Sequence, residues 1–222
     1  MVGFVLLTVA PIVALRYLNP PATAFMLAAR WDAAAQADES YRFHYRWRDL
    51  DEIPRDAAIA AIAAEDQNFV HHDGFDVVAI RAAWEHNQEG GNLRGASSIT
   101  QQLAKNLFLW SGRSFVRKGL EAWFTILIEQ LLGKRRIIEL YLNVAQFGRG
   151  VYGVDAAAEV LLGKPLAALS ADDAALLAAV LPSPERYSAA NPGNYVRQRQ
   201  AWIRSQMRRL DGTPYTAPLF AR

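Results

Sequence analysis

The sequence of 222 residues contains no cysteine. Disulfides, cysteine-bearing zinc sites and a thiol nucleophile are thereby excluded, while no compartment is chosen. Excess charge is also scarce: 24 Lys and Arg stand against 22 Asp and Glu. That balance pulls only weakly on anionic partners, and none of the usual nucleic-acid-binding motifs occurs. Internal repeats are missing, and convincing alternating strand patterns are few. The N-terminal apolar run falls short of the about 20 residues that a spanning helix needs. It is uncharged from Met1 to Leu15, and Arg16 is its first ionisable side chain. Tyr17 and Leu18 extend it, and Arg16 can snorkel outward. Neither a basic start nor a small-residue cleavage site marks a signal peptide. The run reads as a membrane anchor over residues 1–18, shortened at its beginning. A buried N-terminal helix is the alternative.

What is present is apolar and helical. A hydrophobic fraction of 52% suffices for one domain or two small lobes. Pro20 and Pro21 break the first helix, so residues 19–40 read as a linker with the helix leading into a domain over 41–194. Pro54 opens an Ala-rich helix in which Ile59 and Ile62 share a face. Leu120, Trp123, Phe124, Leu127, Ile128 and Leu131 form a helical stripe, and Ile137, Leu140, Tyr141 and Val144 form another. Ser170 and Asp173 have capping-box spacing. The stretch from Tyr41 to Leu50, aromatics alternating with basic residues, is the best strand candidate. Residues 195–222 carry six arginines against Asp211 alone. They read as a basic C-terminal helix and tail, either solvated or against anionic lipid headgroups.

Chemistry-bearing residues cluster in the middle of the chain. Glu65 lies three positions after Ile62, on or beside the buried face of its helix. A partly desolvated carboxylate there has a raised pKa, as a general base or acid requires. An ordinary helix end with a solvated Glu-Asp pair accounts for the same residues. Ser97, Ser98, Thr100, Gln101, Gln102, Lys105 and Asn106 follow, a donor-rich run suited to sugars and pyrophosphates. It can equally be a capped polar helix, with Ser97 or Ser98 as N-cap. Beyond it stand Arg113, Arg117, Lys118 and Glu121, with Arg117 and Glu121 four apart on one helix face. Paired carboxylates are common in glycosyl chemistry, and cations beside them suit a diphosphate. Residue types alone go no further.

The order of motifs does. "EDQNFVHHDGFD", "GASSITQQLAKN", "RSFVRKGLE" and "IIELYLNVAQFGRGVYGVDAAAEVLLGK" resemble, in order and spacing, the motifs of the peptidoglycan glycosyltransferases. These bacterial enzymes polymerise lipid II, alone or as the first domain of class A penicillin-binding proteins; the stand-alone form is the closer likeness. The resemblance runs from about Pro20 to Pro192. It implies an all-α, lysozyme-like, two-lobed domain at the bacterial inner membrane, with a single-pass anchor and the catalytic domain on the periplasmic side. It implies that Glu65 is the base that deprotonates the acceptor 4-hydroxyl, which attacks C1 of the donor. The product is a β-1,4-linked glycan formed with inversion, and undecaprenyl diphosphate is released. Glu121 corresponds to the second essential carboxylate. Lys105 and Arg113 correspond to cations on the donor diphosphate, and Ser97, Gln101 and Arg117 to other positions in the cleft. Implied partners are lipid II, the growing strand, the membrane and other cell-wall synthases. No cofactor is required, and a divalent metal, Mg or Mn, at the diphosphate stays open.

The sequence departs from the family pattern at Ala96, Ser98, Leu161 and Leu162. No S-x-x-K occurs, and the chain after Pro192 is too short for a transpeptidase domain. Two rivals remain, a glycan-cleaving enzyme of the same fold and a non-catalytic scaffold. Gly148, Gly150 and Gly153 spell G-x-G-x-x-G, yet helix rather than strand precedes them, so they read as a turn between helices and not as a nucleotide loop.

Overall fold

A computed structural model describes residues 2–90, 95–112, 114–211, 213 and 215–220. In chain order the helices and strands are α1 (Val2–Leu15), α2 (Ala24–Ala35), β1 (His44–Tyr45), α3 (Arg55–Glu65), α4 (Val77–Gln88), α5 (Ile99–Phe108), α6 (Phe115–Leu131), α7 (Lys134–Val144), β2 (Gln146–Gly148), β3 (Val151–Tyr152), α8 (Val154–Leu162), α9 (Ala171–Val180), α10 (Asn194–Leu210) and α11 (Ala217–Phe220). The fold is mostly helical, as the sequence leads one to expect.

The Ala-rich α3 is the axis of the core. Residues Ala57 to Ala63 are all buried, because small side chains let α7, α9 and α10 close around it. The capping box of α9 forms as its spacing predicts, with Ser170 accepting from the Asp173 N–H. One apolar cluster runs from Ile12 in α1 to Leu219 in α11. Residues 195–222 are therefore more than a tail: Val196, Ile203 and Met207 of α10 are buried against α3 and α9. By contrast, α4 buries only Ala83 and exposes Val77, Val78 and Trp84.

The N-terminal apolar run forms α1. The apolar run folds as a 14-residue helix, about 21 Å long at about 1.5 Å per residue. Among the described residues, no helix is long and apolar enough to cross a membrane. Thr8, Ile12 and Leu15 are buried and α1 packs on α6, while Leu6 and Leu7 on its other side are exposed. Arg136 then ties down the chain beyond it, donating to the carbonyls of Leu15 (2.8 Å) and Leu18 (2.9 Å).

The glycine run is a hairpin rather than a simple turn. β2 and β3 pair antiparallel, and β1 adds to β3 in parallel, His44 opposite Val151. Gly150 and Gly153 have φ of 73° and 84°, whereas Gly148 is not among the positive-φ glycines. A Cβ on Gly150 would meet the Arg42 carbonyl oxygen at 2.0 Å, and one on Gly153 the Asn143 carbonyl oxygen at 2.6 Å. Gly150→Ala is therefore expected to lower stability by more than about 2 kcal/mol, combining left-handed strain with a backbone clash. Urea unfolding monitored by circular dichroism measures it.

Candidate active site

Glu65 is the last residue of α3, where the run of buried alanines and isoleucines ends and polar side chains gather. Its side chain is 10% exposed. Three elements meet on it. Gln102 of α5 donates from Nε2 to Oε2 at 2.8 Å. The Gln102 carbonyl oxygen in turn accepts from the Tyr141 hydroxyl of α7 at 3.2 Å, which fixes the way the amide faces. Arg199 of α10 donates to Oε1 at 3.1 Å and to the Ala64 carbonyl at 3.2 Å, satisfying a free carbonyl at the helix end. Burial raises the Glu65 pKa above its ordinary value, and the Gln102 hydrogen bond and Arg199 partly offset that rise. Burial likewise raises the Tyr141 pKa well above that of an ordinary phenol.

The residues after Glu65 hold it in place. Asp66 is buried and accepts from the Ile99 N–H at 3.0 Å, at the first turn of α5. It also pairs with His72 Nε2 at 2.8 Å. Because His72 Nδ1 accepts from the Gly74 N–H at 3.1 Å, the ring proton sits on Nε2 and points at Asp66. Ser98 donates to the Gly74 carbonyl, and Lys134 joins the His72 carbonyl to Glu129. The loop that follows the carboxylate is thus clamped to α5, α6 and α7.

A cationic group lies one turn further along α5. Lys105 sits with its ammonium 5.3 Å from the Phe25 ring centroid. Burial lowers its pKa, and the charge of Glu121 opposes that shift. Glu121, on α6, is 3% exposed. It receives Arg117 at 2.8 Å and, at very short range, Lys118. One carboxylate thus holds two cations, and Lys105 adds a third charge nearby. Among the described residues, the buried Arg117 Nε has no hydrogen-bond partner.

A divalent cation at a diphosphate is held by one or two carboxylates together with phosphate oxygens and water. Among the described residues no group of three or more His, Asp or Glu could hold a metal. Glu121 is the carboxylate on hand beside these cations, and Arg117 and Lys118 already engage it.

Other expected residues are placed differently. Gln101 is buried, and its side chain accepts from the Ser98 N–H in the capping box of α5. Its neighbour Gln102 is the glutamine that reaches Glu65. Ser98, not Ser97, is the N-cap, and Ser97 is exposed beside it. Arg113 lies outside the described residues. Sequence reasoning missed Tyr141, taken as part of an apolar stripe, and Arg199, taken as part of a basic tail. A signal for Arg199 was present: it lies three after Val196 and four before Ile203, on the buried face of its helix.

Comparison with known proteins decides the family. The chain matches the transglycosylase family over residues 33–208. It belongs to that family. It is 51% identical over 212 residues to a biosynthetic peptidoglycan transglycosylase of Xanthomonas oryzae pv. oryzae, covering 96% of this chain and 86% of the relative. The same identity holds over 210 residues with a biosynthetic peptidoglycan transglycosylase of Xylella fastidiosa, covering 95% and 86%. The chain is thus a peptidoglycan glycosyltransferase, a transferase of peptidoglycan synthesis. Its family match reaches into α10, so the helix that carries Arg199 belongs to the domain.

Proposed function

We propose that this site polymerises lipid II into β-1,4-linked glycan with inversion at C1. The observation that carries it is one buried, raised-pKa carboxylate beside a cation cluster that holds more positive charge than its own carboxylate cancels. Glu65 takes the proton of the acceptor 4-hydroxyl as its oxygen forms the bond to donor C1. The C1–O bond to diphosphate breaks, and the electron pair leaves with undecaprenyl diphosphate. Lys105, Arg117 and Lys118 meet that charge. Diphosphate leaves without a strong general acid, so one base suffices. A glycan-cleaving enzyme wants a second free carboxylate opposite the first. Glu121 is engaged by two cations instead.

Incubation with lipid II tests the proposal. Glycan polymer is expected, and loss of preformed glycan without polymer would favour cleavage.

We propose that the protein works at the bacterial inner membrane with its catalytic domain on the periplasmic side, a seating that the exposed apolar side of α1 and the start of α6 support. Phe115 and Val116 are 98% and 72% exposed on α6, which packs against α1. The adjoining stretch from Leu107 to Trp110 contributes less than its sequence suggests: Leu107 and Leu109 are core residues, and Phe108 stacks on Phe124. Only Trp110 of that stretch is classed as exposed. Replacing Phe115 and Val116 by Ser is expected to weaken binding to anionic liposomes by about 10-fold, from the apolar area withdrawn. Unchanged co-sedimentation would count against this seating.

A further inference from the structure

We propose that Arg199 is the positioning residue that fixes the orientation of the Glu65 carboxylate and keeps it in its proton-accepting state. This rests on Glu65 being the base, as proposed above.

The geometry is specific. Arg199 reaches from α10, 134 residues away in sequence, and places one guanidinium nitrogen on both the Glu65 carboxylate and the Ala64 carbonyl. Carboxylate and helix end are thereby held by a single planar group, which leaves Glu65 little rotational freedom. Gln102 fixes the second carboxylate oxygen, and Tyr141 fixes Gln102. Arg199 is itself mostly buried, 22% exposed, and among the described residues its Nε has no hydrogen-bond partner.

The electrostatics point the same way. A base must be ionised to accept a proton, and burial works against ionisation at Glu65. The ionisable groups facing it are Arg199 from α10, the neighbouring Asp66, Lys105 from α5 and Tyr141 from α7. Asp66 opposes ionisation, and among the described residues Arg199 is the cation bonded to the carboxylate. On α9, which also packs on α3, Asp172 and Asp173 are engaged by Arg204 and Lys164. Removing the Arg199 charge therefore leaves the base protonated over more of the pH range. A Lys retains the charge but on a flexible stem, without the rigid plane that aims the Arg199 nitrogen at both acceptors.

The test is lipid II polymerisation by the full chain across pH, with Arg199→Met and Arg199→Lys, paired with NMR titration of isotope-labelled glutamate carboxyls. For Arg199→Met the acid limb of the rate is expected to move to higher pH. Its rate at neutral pH should fall by about 10-fold or more and recover toward wild type at alkaline pH. KM should stay nearly constant, and Arg199→Lys should restore most of the limb. A uniformly lower rate on the wild-type pH profile would mean a structural role and overturn the proposal. If Arg199→Met does not fold, Arg199→Lys decides: a smaller upward displacement of the limb and of the Glu65 titration supports it, and none overturns it. Wild-type protein that makes no polymer at any pH would refute the assigned reaction instead. The Glu65 titration in the two variants would then still test the Arg199 contact.

Discussion

Glu65→Gln is expected to fold like the wild type and to polymerise lipid II at least about 100-fold more slowly, the lower end of what a positioned base contributes. Gln has the same shape and keeps one carbonyl acceptor for Gln102 or Arg199, so the packing of α3 is undisturbed. What it cannot do is take the acceptor proton. In the wild type, activity should fall as pH drops through the Glu65 pKa. That fall comes above the ordinary carboxylate value of 4.5, because burial favours the protonated form. The residual activity of Glu65→Gln should lose this acid limb. Initial rates of polymer formation across pH, with thermal unfolding as the folding control, measure both. A Gln variant working at the wild-type rate would remove Glu65 from the mechanism.

The second large effect is expected at Glu121. Replacing it with Gln leaves Arg117 and Lys118 without their counter-charge, and Arg117 is mostly buried, its side chain 12% exposed. Breaking a buried ion pair by deleting one partner costs about 3–5 kcal/mol. The lower end applies here, because Lys118 is 49% exposed and partly relieved by water. Both the urea midpoint and the rate should fall. Glu121→Asp should recover stability in part, since the charge is kept but the reach is shorter. An unchanged midpoint in Glu121→Gln would show that the two cations are satisfied elsewhere.

These expectations draw unequally on sequence and structure. Helical stripes, the capping box at Ser170 and the four motifs come from local chemistry, which a linear reading captures: period, cap and turn each involve neighbours in the chain. The prominence of Glu65 was legible for the same reason, since a carboxylate ending an Ala-rich helix is a local feature. At α5 the local rule was ambiguous. Two adjacent glutamines follow Ser98, and their directions differ by a helical step of about 100°. One therefore closes the capping box and the other faces the base. The short strands were only half legible, because β1 exists through its pairing with β3 more than one hundred residues later.

By itself the sequence determined a helical transglycosylase with Glu65 and Glu121 in charged motifs, because motif order and helical period are properties of the chain. The tertiary structure alone decided what surrounds those carboxylates. It brought Arg199 from the C-terminal helix onto the base, made Gln102 rather than Gln101 its partner and bound two cations to Glu121. It also folded the N-terminal apolar run as a short helix against α6. The reason is physical: burial and the pairing of buried charges depend on distances between segments remote in sequence, which helical periodicity does not encode.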